Sequence, residues 1–474
     1  MASRRRIERE AVVASECDEE QDRVSLADIA GVFTGPRKET ATLKLKRRSR
    51  AILWMVFAAV VMLGGAANAK DRAYRVIHNF RGWRLGDGCE PIGVPAAAKN
   101  GDLYGVTYLC GTYEYDGIVF KLTAPSTRDG VWRESILYNF PGGDGGEQPS
   151  SLVLGADGNL YGVDFSQTIF ELKRPASHNA VWTYAALYTL NQGSDGAGIE
   201  NLVIDASGNL YGATGAGGDP SCNNGYGCGT VFELQRPTQE GGQWVYSVLY
   251  AFTGTPDGEI PYAGVTFDQK GNLYGTTNYG GSIGYGAVYR VSPPTQKGGP
   301  WTETVVYSFD RGTNMGSNPE GPVTFDQSSN LYGTTAFGGD LNCQAGYGCG
   351  VVFELSPQAG GTWAYTNLYS FQGGNDGLVP TGYIVIDRKG SLYSTTQLGG
   401  GGSNAGIAFK LSPPVQQGDP WTETVLHSFK APDDSGDNGG LIWGKWGDLY
   451  GVTYLGGSKG CQREGCGTVF ELQP

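Results

Sequence analysis

The stretch Asp268-Gln269-Lys270-Gly271-Asn272-Leu273-Tyr274-Gly275 lies between two runs of strand-forming residues, Val265-Thr266-Phe267 before it and Val288-Tyr289-Arg290-Val291 after it. Aspartate accepts local backbone hydrogen bonds and glycine takes a left-handed position, so Asp-x-x-Gly-Asn reads as a tight turn between strands. The Leu-Tyr-Gly that follows recurs at Tyr104, Tyr161, Tyr211, Tyr332 and Tyr450, and Leu392-Tyr393-Ser394 is a degenerate seventh copy. Spacings between copies are 57, 50, 63, 58, 61 and 57 residues.

Each copy belongs to a unit of four short apolar or β-branched runs bounded by glycine or proline, which is strand patterning. Strand a ends near an aspartate, as in Val323-Thr324-Phe325-Asp326 and Ile384-Val385-Ile386-Asp387; strand b carries Leu-Tyr-Gly. Strand c is Val-Phe-Glu-Leu or similar, from Val119-Phe120 to Val469-Phe470. Strand d opens on tryptophan and closes on Leu-Tyr-x-Phe, as from Trp244 to Phe252. Four strands repeated seven times, 28 in all, is a propeller pattern. The termini argue for a closed ring. The seventh unit, with Leu441-Ile442-Trp443, Leu449-Tyr450 and Val469 to Leu472, has no strand d of its own. Residues 74–80, Tyr74-Arg75-Val76-Ile77-His78-Asn79-Phe80, read as a strand d without a unit. An open solenoid would leave unpaired edges at both ends. The expected fold is therefore an all-β, seven-bladed β-propeller of residues 70–474, with strand 74–80 completing the last blade.

Composition agrees. The chain has 77 glycines in 474 residues, but aromatics make up 12%, which argues against disorder. No three-residue glycine period supports a collagen helix. Of the glycines, 73 fall after residue 69 and punctuate the strands.

Residues 1–50 are polar, with 12 basic and 9 acidic residues, and end in Lys44-Leu45-Lys46-Arg47-Arg48-Ser49-Arg50. Residues 51–69 carry no charge and end in Ala67-Asn68-Ala69. A basic flank, a short apolar run and small residues predict a secretory signal cleaved after Ala69. An uncleaved signal anchor and a start assigned too far upstream are the other readings. All three put the bulk of the chain outside the cytoplasm: extracellular, at the cell surface or in the periplasm. Residues 70–474 hold 23 basic and 38 acidic residues, a net charge of −15. That balance disfavours nucleic acid and anionic membrane surfaces as partners, leaving residues 51–69, if uncleaved, as the membrane contact. A monomer is expected.

The exported part holds eight cysteines: Cys89, Cys110, Cys222, Cys228, Cys343, Cys349, Cys461 and Cys466. Six form close pairs inside b–c loops, leaving Cys89 and Cys110 as the fourth. Disulfides fit better than zinc ligation, since the pairs recur in separate repeats with no histidine beside them.

The string Gly-Asn-Leu-Tyr-Gly-Thr-Thr-x-x-Gly-Gly…Gly-x-Val-Phe-Glu-Leu, best seen from Gly271 to Val291 and from Asn330 to Leu355, resembles the GloVer tandem repeat of exported bacterial proteins. The resemblance covers nearly all of residues 73–474. It implies secretion or surface attachment and supplies no catalytic residues.

In a propeller the d–a and b–c loops share one face. Tyr226, Tyr285 and Tyr347 in b–c loops are candidate ligand-binding residues, because tyrosine offers contact area at low entropy cost. Asp87, Asp144, Asp195, Asp257, Asp376 and Asp437 recur in d–a loops. They are candidates for a carboxylate ring binding Ca²⁺, with plain turn formation as the alternative. The tryptophans opening strand d are expected to pack between blades. His78 and His427 occupy the tyrosine position of strand d and read as framework variants; no histidine lies near a nucleophile to form a triad. The expected function is a non-catalytic propeller binding a glycan or a surface protein through this loop face, with no catalytic residues and no cofactor beyond the possible Ca²⁺. The alternative is an extracellular glycan-active hydrolase or lyase using acids on the same face.

Overall fold

The computed structural model describes residues 74–474, apart from 113–115, 143–144, 178–179, 192, 240, 262, 312–314, 417, 433, 438, 458–460 and 462–464. The predicted signal or anchor at 51–69 lies outside the described residues, and no helix among them is long and apolar enough to cross a membrane.

Seven antiparallel sheets form the seven blades, each ordered a-b-c-d. Blade 1 is β2 (Cys89–Ala97), β3 (Leu103–Leu109), β4 (Ile118–Thr123) and β5 (Arg133–Asn139). Blade 2 is β6 (Pro149–Leu154), β7 (Leu160–Asp164), β8 (Thr168–Lys173) and β9 (Thr183–Thr189). Blade 3 is β10 (Ala197–Ile204), β11 (Leu210–Ala216), β12 (Thr230–Gln235) and β13 (Val245–Ala251). Blade 4 is β14 (Thr266–Phe267), β15 (Leu273–Thr277), β16 (Ala287–Ser292) and β17 (Thr302–Ser308). Blade 5 is β18 (Thr324–Phe325), β19 (Leu331–Thr335), β20 (Val351–Pro357) and β21 (Trp363–Ser370). Blade 6 is β22 (Val385–Ile386), β23 (Leu392–Thr396), β24 (Ile407–Ser412) and β25 (Thr422–Ser428). Blade 7 is β26 (Asp434–Asp437) and β27 (Ile442–Trp443) along one edge of β28 (Leu449–Gly456), then β29 (Thr468–Leu472) and β1 (Tyr74–Asn79).

The N-terminal strand closes the last blade as expected: β1 pairs β29 with Tyr74 opposite Leu472 and Asn79 opposite Thr468. The expected count of 28 strands is one short. The inner edge of blade 7 is split, because β26 pairs with the upper half of β28 and β27 with its lower half.

The core is seven apolar clusters, each between consecutive blades. The cluster of Phe80, Val452 and Val469 with Leu103, Ile118 and Phe120 joins blade 7 to blade 1 and makes the array a ring. The strand d tryptophans sit in these interfaces: Trp132 of blade 1 packs edge-on against Tyr450 of blade 7, and Trp244 of blade 3 against Tyr161 of blade 2. In Leu-Tyr-Gly the glycine leaves room for the aromatic ring opposite: a Cβ on Gly105 would overlap the ring of Phe120, its cross-strand partner, and only blade 6 places a serine, Ser394 opposite Phe409, at this point. On the a–b turn face the seam between blades 7 and 1 is also held by Arg128, whose Nε donates to Asp448 Oδ2 at 2.8 Å and whose Nη2 donates to Oδ1.

One irregularity positions the groups considered next. In every blade the c–d pairing slips by one residue just before the strand d tyrosine or histidine, for example between Val119 and Phe120, and between Val76 and His78. A bulge bends the strand and re-aims side chains. Here it lets consecutive residues such as Leu137 and Tyr138 both pack into the interface with the next blade.

Candidate functional site

The b–c loops of blades 3, 4 and 5 repeat Gly-Tyr-Gly at Tyr226, Tyr285 and Tyr347. In blades 3 and 5 a disulfide closes the loop: Cys222–Cys228 and Cys343–Cys349 each hold their Cα atoms 5.6 Å apart around a short 3-10 turn. The glycine after each tyrosine has a positive φ and abuts the loop's other arm, so a Cβ on Gly227 would overlap the Gly217 carbonyl. The tyrosine is left outside. Tyr226 is 76% exposed, Tyr347 52% and Tyr285 36%. The guanidinium of Arg311 stacks 4.0 Å from the Tyr347 ring centroid. The exposed aromatics among the described residues are Phe165, Tyr226, Tyr279, Tyr285 and Tyr347, and all five lie in b–c loops of blades 2 to 5.

The other two disulfides, Cys89–Cys110 and Cys461–Cys466, meet on the same face at the seam between blades 7 and 1, where the sulfurs of Cys89, Cys110 and Cys461 lie within 4.8 Å of one another. All eight cysteines after residue 69 are thus paired as the spacing predicts.

Among the described residues no three of the d–a loop aspartates come within ligating distance of one another. Asp195, Asp257 and Asp376 turn back on the outer strand that precedes them. Tyr188 donates to Asp195 Oδ2 at 2.7 Å, Tyr250 to Asp257 Oδ2 at 2.6 Å and Tyr369 to Asp376 Oδ1 at 2.5 Å. The same aspartates accept backbone N–H groups of the turn, such as Asn191 and Gln372. Asp144 and the Asp437 side chain lie outside the described residues. In blade 7 Asp434 takes this role: His427 Nε2 and Asp434 Oδ2 are 2.7 Å apart, and the Lys430 amide donates to Asp434.

The bulge turns each strand d tyrosine or histidine toward the residue two places after the opening tryptophan of strand d in the next blade, or toward its counterpart Tyr74 in blade 7. Four interfaces stack rings there: Tyr138 on Tyr184, Tyr188 on Tyr246, Tyr307 on Tyr365 and His427 on Tyr74. At the other three that residue is a glutamate, namely Glu134, Glu303 or Glu423, whose Oε1 is buried without a hydrogen-bond partner. Burial first, then the nearby aspartate, pushes Glu303 and Glu423 up to about 7 and raises Glu134 well above the usual carboxylate range. Burial also opposes ionisation of Asp87, but His78, Glu134 and Arg81 hold it well below the usual carboxylate range. The sequence marks these glutamates only by alternation, since other blades carry Tyr184, Tyr246 and Tyr365 at that place.

The opposite face offers a cleft of about 570 Å³ between blades 3 and 4, lined by Asp205, Tyr211, Asp268 and Trp301. Its carboxylates are occupied: Asp205 accepts from the Ser207 and Asn209 amides, and Asp268 from Lys270 and Asn272.

A sequence model of the Gloeobacter/Verrucomicrobia repeat matches residues 67–238 and 164–347, together more than half of the chain. No curated protein matches it. Among solved structures, the chain is similar to PorZ, a bacterial surface component of the type-IX secretion system of Porphyromonas gingivalis. The identity is 14%, with 80% of this chain and 46% of PorZ covered and a TM-score of 0.45. It is also similar to a PQQ-bound aldose sugar dehydrogenase of Streptomyces coelicolor, at 14% identity over 69% of this chain and 93% of that one, TM-score 0.40. A puromycin-hydrolyzing peptidase of Mycobacterium tuberculosis shares 13% identity over 80% of this chain and 53% of its own, TM-score 0.44.

Proposed function

The chain belongs to the Gloeobacter/Verrucomicrobia repeat family, and from that premise we propose that it is an exported, non-catalytic propeller that binds a glycan or a surface protein through its b–c loop face. The observation that carries this reading is the segregation of all five exposed aromatics to that face. Large exposed apolar groups gathered on one side of a fold mark an interaction surface, and tyrosines held on stapled loops bind with little loss of conformational freedom. Four disulfides support export, because such bonds persist in oxidising compartments.

The acidic groups support binding over hydrolysis. The glutamates raised toward neutrality lie between blades beneath the outer strands, where each faces a tyrosine or histidine of the neighbouring blade. A glycosidase needs its carboxyl pair open to a sugar ring.

A glycan array run beside a panel of polysaccharide substrates and a surface-protein pull-down tests the reading. Binding without turnover is expected, weakened about tenfold by Tyr226→Ala and Tyr347→Ala with the melting temperature unchanged. Turnover of a polysaccharide, or binding indifferent to both variants, sinks it.

A further inference from the structure

One interface differs from the other six. At the seam where the ring closes, His78 follows the bulge of β1, Asp87 lies in the d–a loop after it, and Glu134 is the second residue of β5 in blade 1. His78 Nε2 lies 3.6 Å from Asp87 Oδ1 and 3.5 Å from Glu134 Oε1, and the three atoms are within 4.8 Å of one another. None of the three has a hydrogen-bond partner. The Asp87 side chain is 2% exposed and aims its unpartnered Oδ1 into the cluster. Its other oxygen accepts from Arg81 Nε at 2.7 Å, which fixes the carboxylate's orientation.

These separations are long for hydrogen bonds and right for a coordination shell. Donors bound to one tetrahedral ion at about 2.0–2.2 Å stand roughly 3.3–3.6 Å apart. The comparison with His427 is decisive. It occupies the same position one blade earlier, yet its Nε2 sits 2.7 Å from Asp434 and its ring stacks on Tyr74. There the imidazole has ordinary partners; at His78 its Nε2 stands 3.5 and 3.6 Å from two carboxylate oxygens instead.

We infer that His78, Asp87 and Glu134 form a binding site for one divalent cation of the zinc class, clamping the N-terminal strand and its loop to blade 1. One imidazole and two carboxylates suit zinc better than calcium, which takes six to eight oxygens. Three protein donors leave one position for water, and His78 and Glu134 retain 15% and 14% exposure through which solvent reaches the site. Arg81, holding the outer Asp87 oxygen, acts as the supporting partner that metal ligands commonly have.

The test uses the full chain, stripped with chelator and titrated with Zn²⁺ alone by calorimetry, with melting temperature read in parallel. One zinc per chain and a rise in melting temperature are expected. His78→Tyr and Glu134→Tyr install residues that other blades carry at those places, so the fold is kept while the donors are lost. Each variant should weaken binding more than about tenfold. His427→Tyr should leave the stoichiometry unchanged. X-ray absorption should show a nitrogen and oxygen shell without sulfur. No uptake by the folded wild-type chain overturns the assignment, as does wild-type stoichiometry in both ligand variants, equal loss in His427→Tyr, or a sulfur shell.

Discussion

The ring of Tyr74 lies flat on the imidazole of His427, with centroids 3.6 Å apart and planes 3° from parallel. Tyr74 begins the strand that completes blade 7, and His427 belongs to blade 6, so the first described strand is held from two sides. Its pairing with β29 supplies hydrogen bonds, and Phe80, fully buried just after it, fills the interface with blade 1.

Phe80→Ala should therefore act as a seam mutation. Emptying a fully buried phenylalanine site costs about 3–5 kcal/mol. Denaturant unfolding should show that loss, whereas Ile136→Ala on the exposed side of β5 should stay within about 0.5 kcal/mol of wild type.

Arg128→Ala should also open the seam from the other face. It strands the Asp448 carboxylate, which has no exposed side-chain area. Removing one partner of a fully buried pair costs roughly 3–5 kcal/mol; Arg128 is 42% exposed, so a smaller loss is expected, while replacing both with apolar groups is often neutral. Arg128→Met with Asp448→Leu should therefore recover most of what Arg128→Ala loses.

Disulfide removal from a b–c loop should cost little stability and more binding. Cys222 and Cys228 are six residues apart, a loop small enough to limit the entropic gain to about 2 kcal/mol. The double serine variant should unfold at slightly lower denaturant. If the loop presents Tyr226 to a partner, affinity should fall by a similar factor to Tyr226→Ala.

The buried glutamates give stability a pH dependence of definite sign. An unfolded glutamate titrates near 4.3, whereas Glu303 and Glu423 titrate at about 7 in the fold. Between those values the folded chain holds protons that the unfolded chain has released. Their contribution is thus fully present below the unfolded value and is lost as pH rises through about 7. Asp164, pushed up to about 6 by its own burial, acts in the same direction. Melting temperature should decline from pH 5 to pH 8, and Glu303→Gln with Glu423→Gln should flatten that decline. An unchanged slope would contradict it.

The repeat made the fold legible because each strand announces itself within its own unit: Leu-Tyr-Gly and Val-Phe-Glu-Leu face each other across one hairpin, as Gly105 faces Phe120. The orphan strand at 74–80 made closure legible too. Relations between units were harder to read. Nothing local to Glu134 says that it meets His78, because the encounter depends on a bulge in one blade and the start of the outer strand of another. Asp437-Asn438 resembles the Asp-Gly of other loops and draws attention in the sequence, while Asp434, with no such signature, accepts from the amide four residues before it, the spacing that also separates Thr253 from Asp257. Gly-Tyr-Gly marks Tyr226, Tyr285 and Tyr347 in the sequence; Tyr279 and Phe165, exposed on the same face, carry no such signature.

The pairing of Tyr74 with Leu472 has a consequence for how the chain assembles. Every blade from the first to the sixth is built from neighbours in sequence, so each can form as soon as its own strands have been made. The seventh joins segments nearly 400 residues apart. Long-range pairing is slow because the loop entropy must be overcome before contacts offset it. β1 is synthesised first and finds its partner last, so the ring should complete its assembly in one late step, with six blades already in place as its template.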